Sequence, residues 1–400
     1  MTVLARGPMN RDLAGAIMAR AGARSGLTAE VFTELDAVEA LWRGLEADPA
    51  CLATPYQRFA WVRAYAGAAV APGALRIVVL RDAAGRPRIL LPLAVERRRG
   101  IAIARTLGGD HANYHLPLFA ARDAAAVPAE DVIAALGLVG RAAGIDVYAL
   151  GHQPRTWDGA VNPLAIRGEA APSDGYGMML GPDPESTLKR AFSADARKKL
   201  RSKEKRLVEA HGALAYRKAA DGAEAARFLS AFYAQKAARF AAMGIADPYA
   251  DPAIRAFLTA ATAGKNPAVE IHALVLEATG RVLATFGGAV DGARYSGMMT
   301  AFDADPEIAR FSPGDLLLHH LVRDQAAQGR RAFDLGVGEA RYKASVCDET
   351  IPLVEATLPV TLRGHAYGFV ATRLTRLKRR IKRDPRLFAL VRRLRRMKAG

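Results

Sequence analysis

A duplicated α/β unit, built as two mixed-sheet (α+β) halves in tandem with a basic helical tail, is the fold class that the sequence predicts. Three observations predict it. A β-hairpin pattern occurs twice, near residues 75–95 and again near 270–290. Each hairpin is followed by a helical stretch and a further strand, and positive charge is concentrated in residues 373–400. A chain of 400 residues is also longer than one core usually organises, so a duplicated unit is the natural expectation.

The elements follow in order. Residues 1–26 carry Arg6, Arg11 and Arg20 without an uninterrupted apolar core, so this stretch reads as a flexible N-terminus and not as a signal peptide. Helical spacing covers Glu39 to Ala47 and Gln57 to Ala68. Alternation then marks strands at Leu75 to Asp82 and Ile89 to Val95, joined by the turn Ala83-Ala-Gly-Arg86. Ala129 to Ala143 reads as a helix running into the strand Gly144 to Gly151. The second half repeats the order: helices at Glu185 to His211, Gly222 to Met243 and Pro252 to Ala263, then strands Glu270 to Glu277 and Val282 to Val290 around the turn Ala278-Thr-Gly-Arg281. Pro313 to Gly329 is the matching helix and Ala332 to Gly336 the matching strand. The halves are expected at 27–170 and 171–362, with a tail over 363–400. An antiparallel meander followed by a helical crossover predicts a mixed sheet. The βα alternations are too few for a TIM barrel, and neither a Walker loop nor a strand-linked GxGxxG occurs.

Composition narrows the class. Hydrophobic residues at 51% and charged residues at 24% describe a folding chain. Cys51 and Cys347 match no metal-ligand or redox spacing, so a reducing, cytoplasmic setting is expected and no metal site is assigned. His111 and His115 have i, i+4 spacing but lack the glutamate of a zincin. No stretch offers 18 uncharged apolar residues. Of the net charge of +17, the stretch Arg373 to Gly400 supplies +12, with 13 Lys/Arg against Asp384 alone. Leu374, Leu377 and Ile381, then Leu387, Val391 and Leu394, recur at helical spacing there, with Asp384-Pro385 as the break. Two basic amphipathic helices are expected, able to rest on anionic lipid at the inner face of the membrane or to contact RNA.

Three motifs of the second half carry a resemblance: Ala194-Asp-Ala-Arg-Lys-Lys-Leu-Arg-Ser-Lys-Glu-Lys-Arg206, Phe232-Tyr-Ala-Gln-Lys-Ala-Ala-Arg239 and Phe333-Asp-Leu-Gly-Val-Gly-Glu-Ala-Arg-Tyr-Lys343. Together they resemble the GNAT-like acetyltransferases of the CelD/BcsL group, linked to cellulose biosynthesis. Thr54-Pro-Tyr-Gln-Arg-Phe-Ala-Trp61 and Leu107-Gly-Gly-Asp-His-Ala-Asn-Tyr114 look like the N-terminal signatures of that group, so the resemblance spans roughly 30–360. It is also similar to the Fem-type aminoacyl transferases. The resemblance implies two tandem GNAT-like domains and direct acyl transfer in a ternary complex, with acetyl-CoA or another acyl-CoA as donor. A glycan precursor or small molecule would be the acceptor.

Such chemistry needs positioning, a proton route and oxyanion stabilisation, but no covalent nucleophile. Donor phosphates are expected at the start of the helix in Phe311-Ser-Pro-Gly-Asp-Leu316, where Ser312 can cap, Gly314 permits close approach and Arg310 precedes. Asp315 opposes an anion there, and the usual glycine spacing of the family is not reproduced. Among the side chains after the strand 332–335, Glu339 is the expected general base, Tyr342 the proton donor to the thiolate, and Lys343 or Arg341 an anion contact. Asp334 would orient. Arg197, Arg201 and Lys205 form an i, i+4, i+8 stripe suited to an anionic substrate. Tyr233, Lys236 and Arg239 follow at one-face spacing on the next helix. Three readings stay open: an acyl-CoA acyltransferase, a Fem-like transferase using charged tRNA, and a non-catalytic scaffold of an envelope-polysaccharide assembly.

Overall fold

The computed structural model describes residues 17–22 and 26–384. Within the stretch 1–26, β1 (Ile17–Gly22) is an edge strand antiparallel to β2 (Thr28–Phe32), so a sheet partner orders part of what composition alone left as a flexible terminus. Helices α1 (Glu39–Ala47) and α2 (Phe59–Ala69) follow, close to the expected spans. The meander β3 (Leu75–Arg81), β4 (Pro87–Arg98) and β5 (Ile101–Thr106) forms because Asp82 accepts from the Ala84 and Arg86 amides while Gly85 takes the positive φ of the turn. A short β6 (Leu118–Phe119) pairs with β4, α3 (Arg122–Ala125) precedes α4 (Ala129–Ala142), and β7 (Val147–Pro154) returns parallel to β5. The small hairpin β8 (Thr156–Trp157) and β9 (Ala160–Val161) and the edge strand β10 (Glu169–Ala170) close this part.

The second half opens with β11 (Gly175–Met179). The single helix expected over 185–211 is two, α5 (Pro184–Ala191) and α6 (Ala194–His211). Burial of Phe192 turns the chain, and Ser193 caps α6 by accepting from the Ala196 amide. Then come β12 (Leu214–Lys218), α7 (Gly222–Met243), α8 (Pro252–Ala261), and the meander β13 (Val269–Leu276), β14 (Val282–Val290) and β15 (Arg294–Phe302). The turn of α9 (Pro306–Ala309) leads to α10 (Pro313–Ala327), which crosses to β16 (Ala332–Val337), parallel to β15. The chain finishes with α11 (Arg341–Val346), β17 (Glu349–Ile351), β18 (Leu353–Pro359) and α12 (Leu362–Arg383). Asp384 ends α12 where the sequence placed the break, and the second tail helix expected around 387–394 lies outside the described residues.

Sheet order exposes the duplication. The first sheet runs β1-β2-β3-β4-β5-β7-β18-β10 and the second β12-β13-β14-β15-β16-β11-β17. One strand crosses between the halves: β11, which opens the second half, pairs with β16 of its own sheet, but β18, near the end of that half, pairs with β7 of the first sheet. The expected unit 171–362 is thus cut by its own last strand, because residues 353–359 complete the other sheet. The halves also share a core. Trp61 and Tyr65 of α2 meet Phe257 of α8 edge-on, at ring-centroid distances of 5.1 and 5.2 Å, and Phe257 is fully buried. A buried aromatic of this size contributes about 1.5–3 kcal/mol. No helix among the described residues is long and apolar enough to cross a membrane.

Candidate functional site

The site grows out of the way β15 and β16 part. They pair through only Arg294/Ala332, Tyr295/Phe333 and Ser296/Asp334; beyond that β16 stays with β11 while β15 stays with β14. At the point of separation β15 carries a bulge. Gly288 and Gly287 stand opposite Gly297 and Met299, so Met298 is the extra residue. A bulge leaves a backbone N–H outside the ladder, here beside the gap.

The base of the gap is filled from the other half. Asn113 donates through Nδ2 to the Gly297 carbonyl on β15 at 2.8 Å and accepts at Oδ1 from the Val337 amide on β16 at 3.3 Å. One carboxamide thus spans two strands that no longer reach each other. Gly336, at φ +73°, is required here: a Cβ would lie 2.5 Å from the Asn113 side chain. Asn113 Nδ2 also donates to Tyr56 Oη at 2.6 Å. The Tyr56 hydroxyl meets Ser296 Oγ at 2.9 Å, and Ser296 donates to Asp334 Oδ1 at 2.7 Å. This chain of donors ends on a fully buried carboxylate, with Arg294 at 3.5 Å from its other oxygen. Burial pushes the Asp334 pKa up to about 6. Tyr56 is placed by the turn of Thr54-Pro-Tyr-Gln57, in which Thr54 accepts from the Tyr56 amide and Gln57 Nε2 donates to the Tyr114 carbonyl at 3.1 Å. Arg294 lies 4.4 Å over the Trp157 ring, another contribution of the first half.

The mouth of the gap is formed by Phe302 at the end of β15, the first turn of α10, and Tyr342. Gly314 faces the Phe302 ring, and the Arg239 guanidinium lies 5.6 Å from its centroid. Ser312 occupies the N-cap position in the left-handed region, φ +55°, yet makes no cap hydrogen bond. The expectation that it caps is corrected: its hydroxyl accepts from Lys203 Nζ at 2.6 Å. In the first turn of α10, Pro313 has no N–H and the Asp315 and Leu316 amides donate to the Ser312 carbonyl, so the Gly314 amide alone is left beside the Lys203 ammonium, a combination that favours an anion. Desolvation raises the Asp315 carboxyl there and Lys203 pulls it down. Desolvation also raises the Tyr342 phenol, which keeps it protonated near neutral pH.

Several of the other expected residues sit apart from this mouth. Arg310 bonds Glu307 at 3.0 Å and covers Phe311 at 4.8 Å. Arg201 and Lys205 of the α6 stripe are exposed and Arg197 is half-buried, because the face of α6 that meets α10 is Leu200, Lys203, Glu204 and Leu207. Helical geometry made the stripe visible, but only packing decided which face turned inward. Tyr233 lies under Arg255 at 4.7 Å, and Lys236, its pKa lowered by burial, lies 5.5–5.8 Å from the rings of Phe232, Phe240 and Tyr249; only Arg239 of the three reaches the mouth. Lys343 Nζ donates to the Gly336 and Val337 carbonyls at 3.2 and 2.9 Å, closing the turn after β16. Glu339 is held by Lys382 of α12 at 2.9 Å and accepts from Ser173 at 3.3 Å, contacts that lower its pKa against desolvation. Tyr56, Asn113, Ser296, Arg294 and Lys203 were not singled out from sequence. The signal for the first two lay in the motifs Thr54-Pro-Tyr-Gln and His-Ala-Asn-Tyr, whose partners are remote in the chain. His115 is buried, its pKa pushed down to about 3, and among the described residues no group of three or more His, Cys, Asp or Glu is arranged to hold a metal.

Comparison with known proteins bears on the fold. Residues 194–344 match the family described as acetyltransferase (GNAT) domain. A search of the curated proteins gives no match. Among solved structures, the fold is similar to FemX, at 10% identity with a TM-score of 0.57, covering 83% of this chain and 98% of that one. It is also similar to a conserved protein of unknown function from Bacteroides thetaiotaomicron VPI-5482, at 9% identity with a TM-score of 0.50, covering 82% and 97%. A tandem GNAT protein from the clavulanic acid biosynthesis pathway aligns at 16% identity with a TM-score of 0.41, covering 83% and 99%. The fold is GNAT-like over the matched residues, and the mixed-sheet pattern of that half recurs in the first.

Proposed function

We propose that the protein transfers an acyl group from an acyl-CoA to an amine or hydroxyl, directly in a ternary complex, at the gap between β15 and β16. The observation that carries this reading is the parting of those strands beside a bulge, with α10 starting at the mouth. A thioester chain entering the gap meets strand edges that no longer pair with each other, and a backbone amide of the bulge near Met298 would polarise the thioester carbonyl. The first turn of α10 with Lys203 accepts the donor's phosphates. Tyr342, held protonated, gives its proton to the departing thiolate, and the acceptor's proton leaves through water or Glu339 once Lys382 releases it. The CelD/BcsL-like motifs favour a glycan precursor as acceptor, with a small amine as the simpler possibility, and Asn113 and Tyr56 make the first half a wall of the site.

Calorimetric titration with acetyl-CoA, a long-chain acyl-CoA, CoA and a charged tRNA tests the donor. Saturable CoA-ester binding in the micromolar range, weakened about tenfold by Lys203→Glu, is the expected result. Binding of tRNA without CoA-ester binding would replace it with a Fem-like aminoacyl transferase. Failure of both donors leaves a non-catalytic scaffold.

A further inference from the structure

We propose that the outward face of α12 docks on an anionic lipid membrane. The helix packs inward through small residues, Gly364, Gly368, Ala371 and Thr375, and so lies close on β18, where a Cβ at Gly368 would stand 3.2 Å from Thr357. Its large apolar side chains are therefore turned the other way. Leu362 is 88% exposed, Phe369 63%, Val370 55%, Leu374 50% and Leu377 52%. Five such residues on one 22-residue helix form a stripe that the body leaves uncovered.

Charge selects the occupant. Leu362–Arg383 contains eight Lys/Arg and no acid, and residues 385–400 add six more, again with no acid. Arg373 lies against the Phe369 ring at 4.9 Å, so cations and apolar groups share one surface rather than opposite ones. A second copy of the same face is repelled by its own charge, and a nucleic acid backbone gives phenylalanine and leucine nowhere to go. A bilayer of acidic lipid satisfies both: headgroups pair with the arginines while the apolar stripe enters the acyl boundary.

This inference rests on the acyl-transfer reading only for its consequence. Lys382, in the last turn of α12, holds Glu339 on the loop beside the mouth. A membrane under α12 therefore lies along the same edge of the molecule as the site, which favours an acceptor presented at the lipid surface.

Flotation of the full chain with phosphatidylcholine vesicles, with and without about one third phosphatidylglycerol, tests the surface. At least tenfold tighter binding to the acidic vesicles is expected, lost on raising the salt. Phe369→Ser with Leu374→Ser, or separately Arg373→Glu with Arg380→Glu, should each weaken it about tenfold while the far-UV spectrum and CoA-ester titration stay unchanged. Vesicle binding equal in all variants overturns the proposal, as does release of the stripe's exposure by self-association in sedimentation, or RNA capture without vesicle capture. Vesicle binding without donor binding keeps this inference and removes the acyl-transfer reading; the reverse does the opposite.

Discussion

The two halves make the same strand contact and use it differently. In the first, Ile103, Ala104 and Arg105 run parallel to Val147, Tyr148 and Ala149; in the second, Arg294, Tyr295 and Ser296 run parallel to Ala332, Phe333 and Asp334. Register places Arg105 where Ser296 stands and Ala149 where Asp334 stands. Arg105 hydrogen-bonds Glu96 and reaches Tyr367 of α12 at 2.8 Å, so the C-terminal helix covers the place where β5 and β7 part. The crossover helix of the first half also begins with Glu130 and Asp131, against Lys203 beside α10. One opening is covered by α12, the other is lined by side chains of both halves. The duplication supplied two equivalent gaps, and side chains distinguish the candidate site from its covered counterpart.

The largest effect is expected from removing the strand that joins the halves. Ending the chain after Pro352 removes β18 and α12, leaving β7 with an open edge next to Tyr148 and Leu150; loss of cooperative thermal unfolding and aggregation in size-exclusion chromatography are expected. Next comes the bridge. Asn113→Ala should lower kcat/KM roughly 10²-fold, since the gap loses the group that sets its width, whereas Arg105→Ala in the covered half should stay within about twofold in the same assay. An equal loss from both substitutions would erase the distinction between the halves. The smallest effect is titration of Asp334, which has only Ala149 as counterpart. Its pKa is higher folded than unfolded, so the carboxyl binds its proton more tightly in the native state and costs stability as pH rises from about 4 to about 6. The stability of Asp334→Asn relative to the native protein should thus climb by at most about 3 kcal/mol over that interval and be flat above it, read by denaturant unfolding at several pH values.

Much of the fold was legible because its signals are local. The hairpins at 75–95 and 270–290, the crossover helices and the break at Asp384 follow from alternation, helical spacing and turn residues, and the structure places them within a few residues of those positions. The crossing of β18 was not legible: the sequence reading assigned no strand at Gly175–Met179 or Leu353–Pro359, and nothing in Leu353–Pro359 names the sheet it joins. The site divided the same way. Tyr342, Gly314 and Arg239 reach the mouth because the segments that carry them were recognisable as loop, helix start and helix. Asn113 escaped because its meaning depends on Gly297 and Val337, 184 and 224 positions away. Glu339 reads as a free base in the sequence, and the ion pair with Lys382 appears only when α12 comes back across the molecule.

The crossing of β18 also sets a schedule for synthesis on the ribosome. The edge strand β7 is complete at Pro154, but the segment that covers it emerges only with Leu353–Pro359, some two hundred residues later. At roughly 5–20 residues per second the nascent first sheet waits about 10–40 s with an unfilled place. The N-terminal half is therefore a template held open until Leu353–Pro359 emerges. A slow codon run or a pause within that window would lengthen the exposure of β7 without changing a single contact of the finished protein.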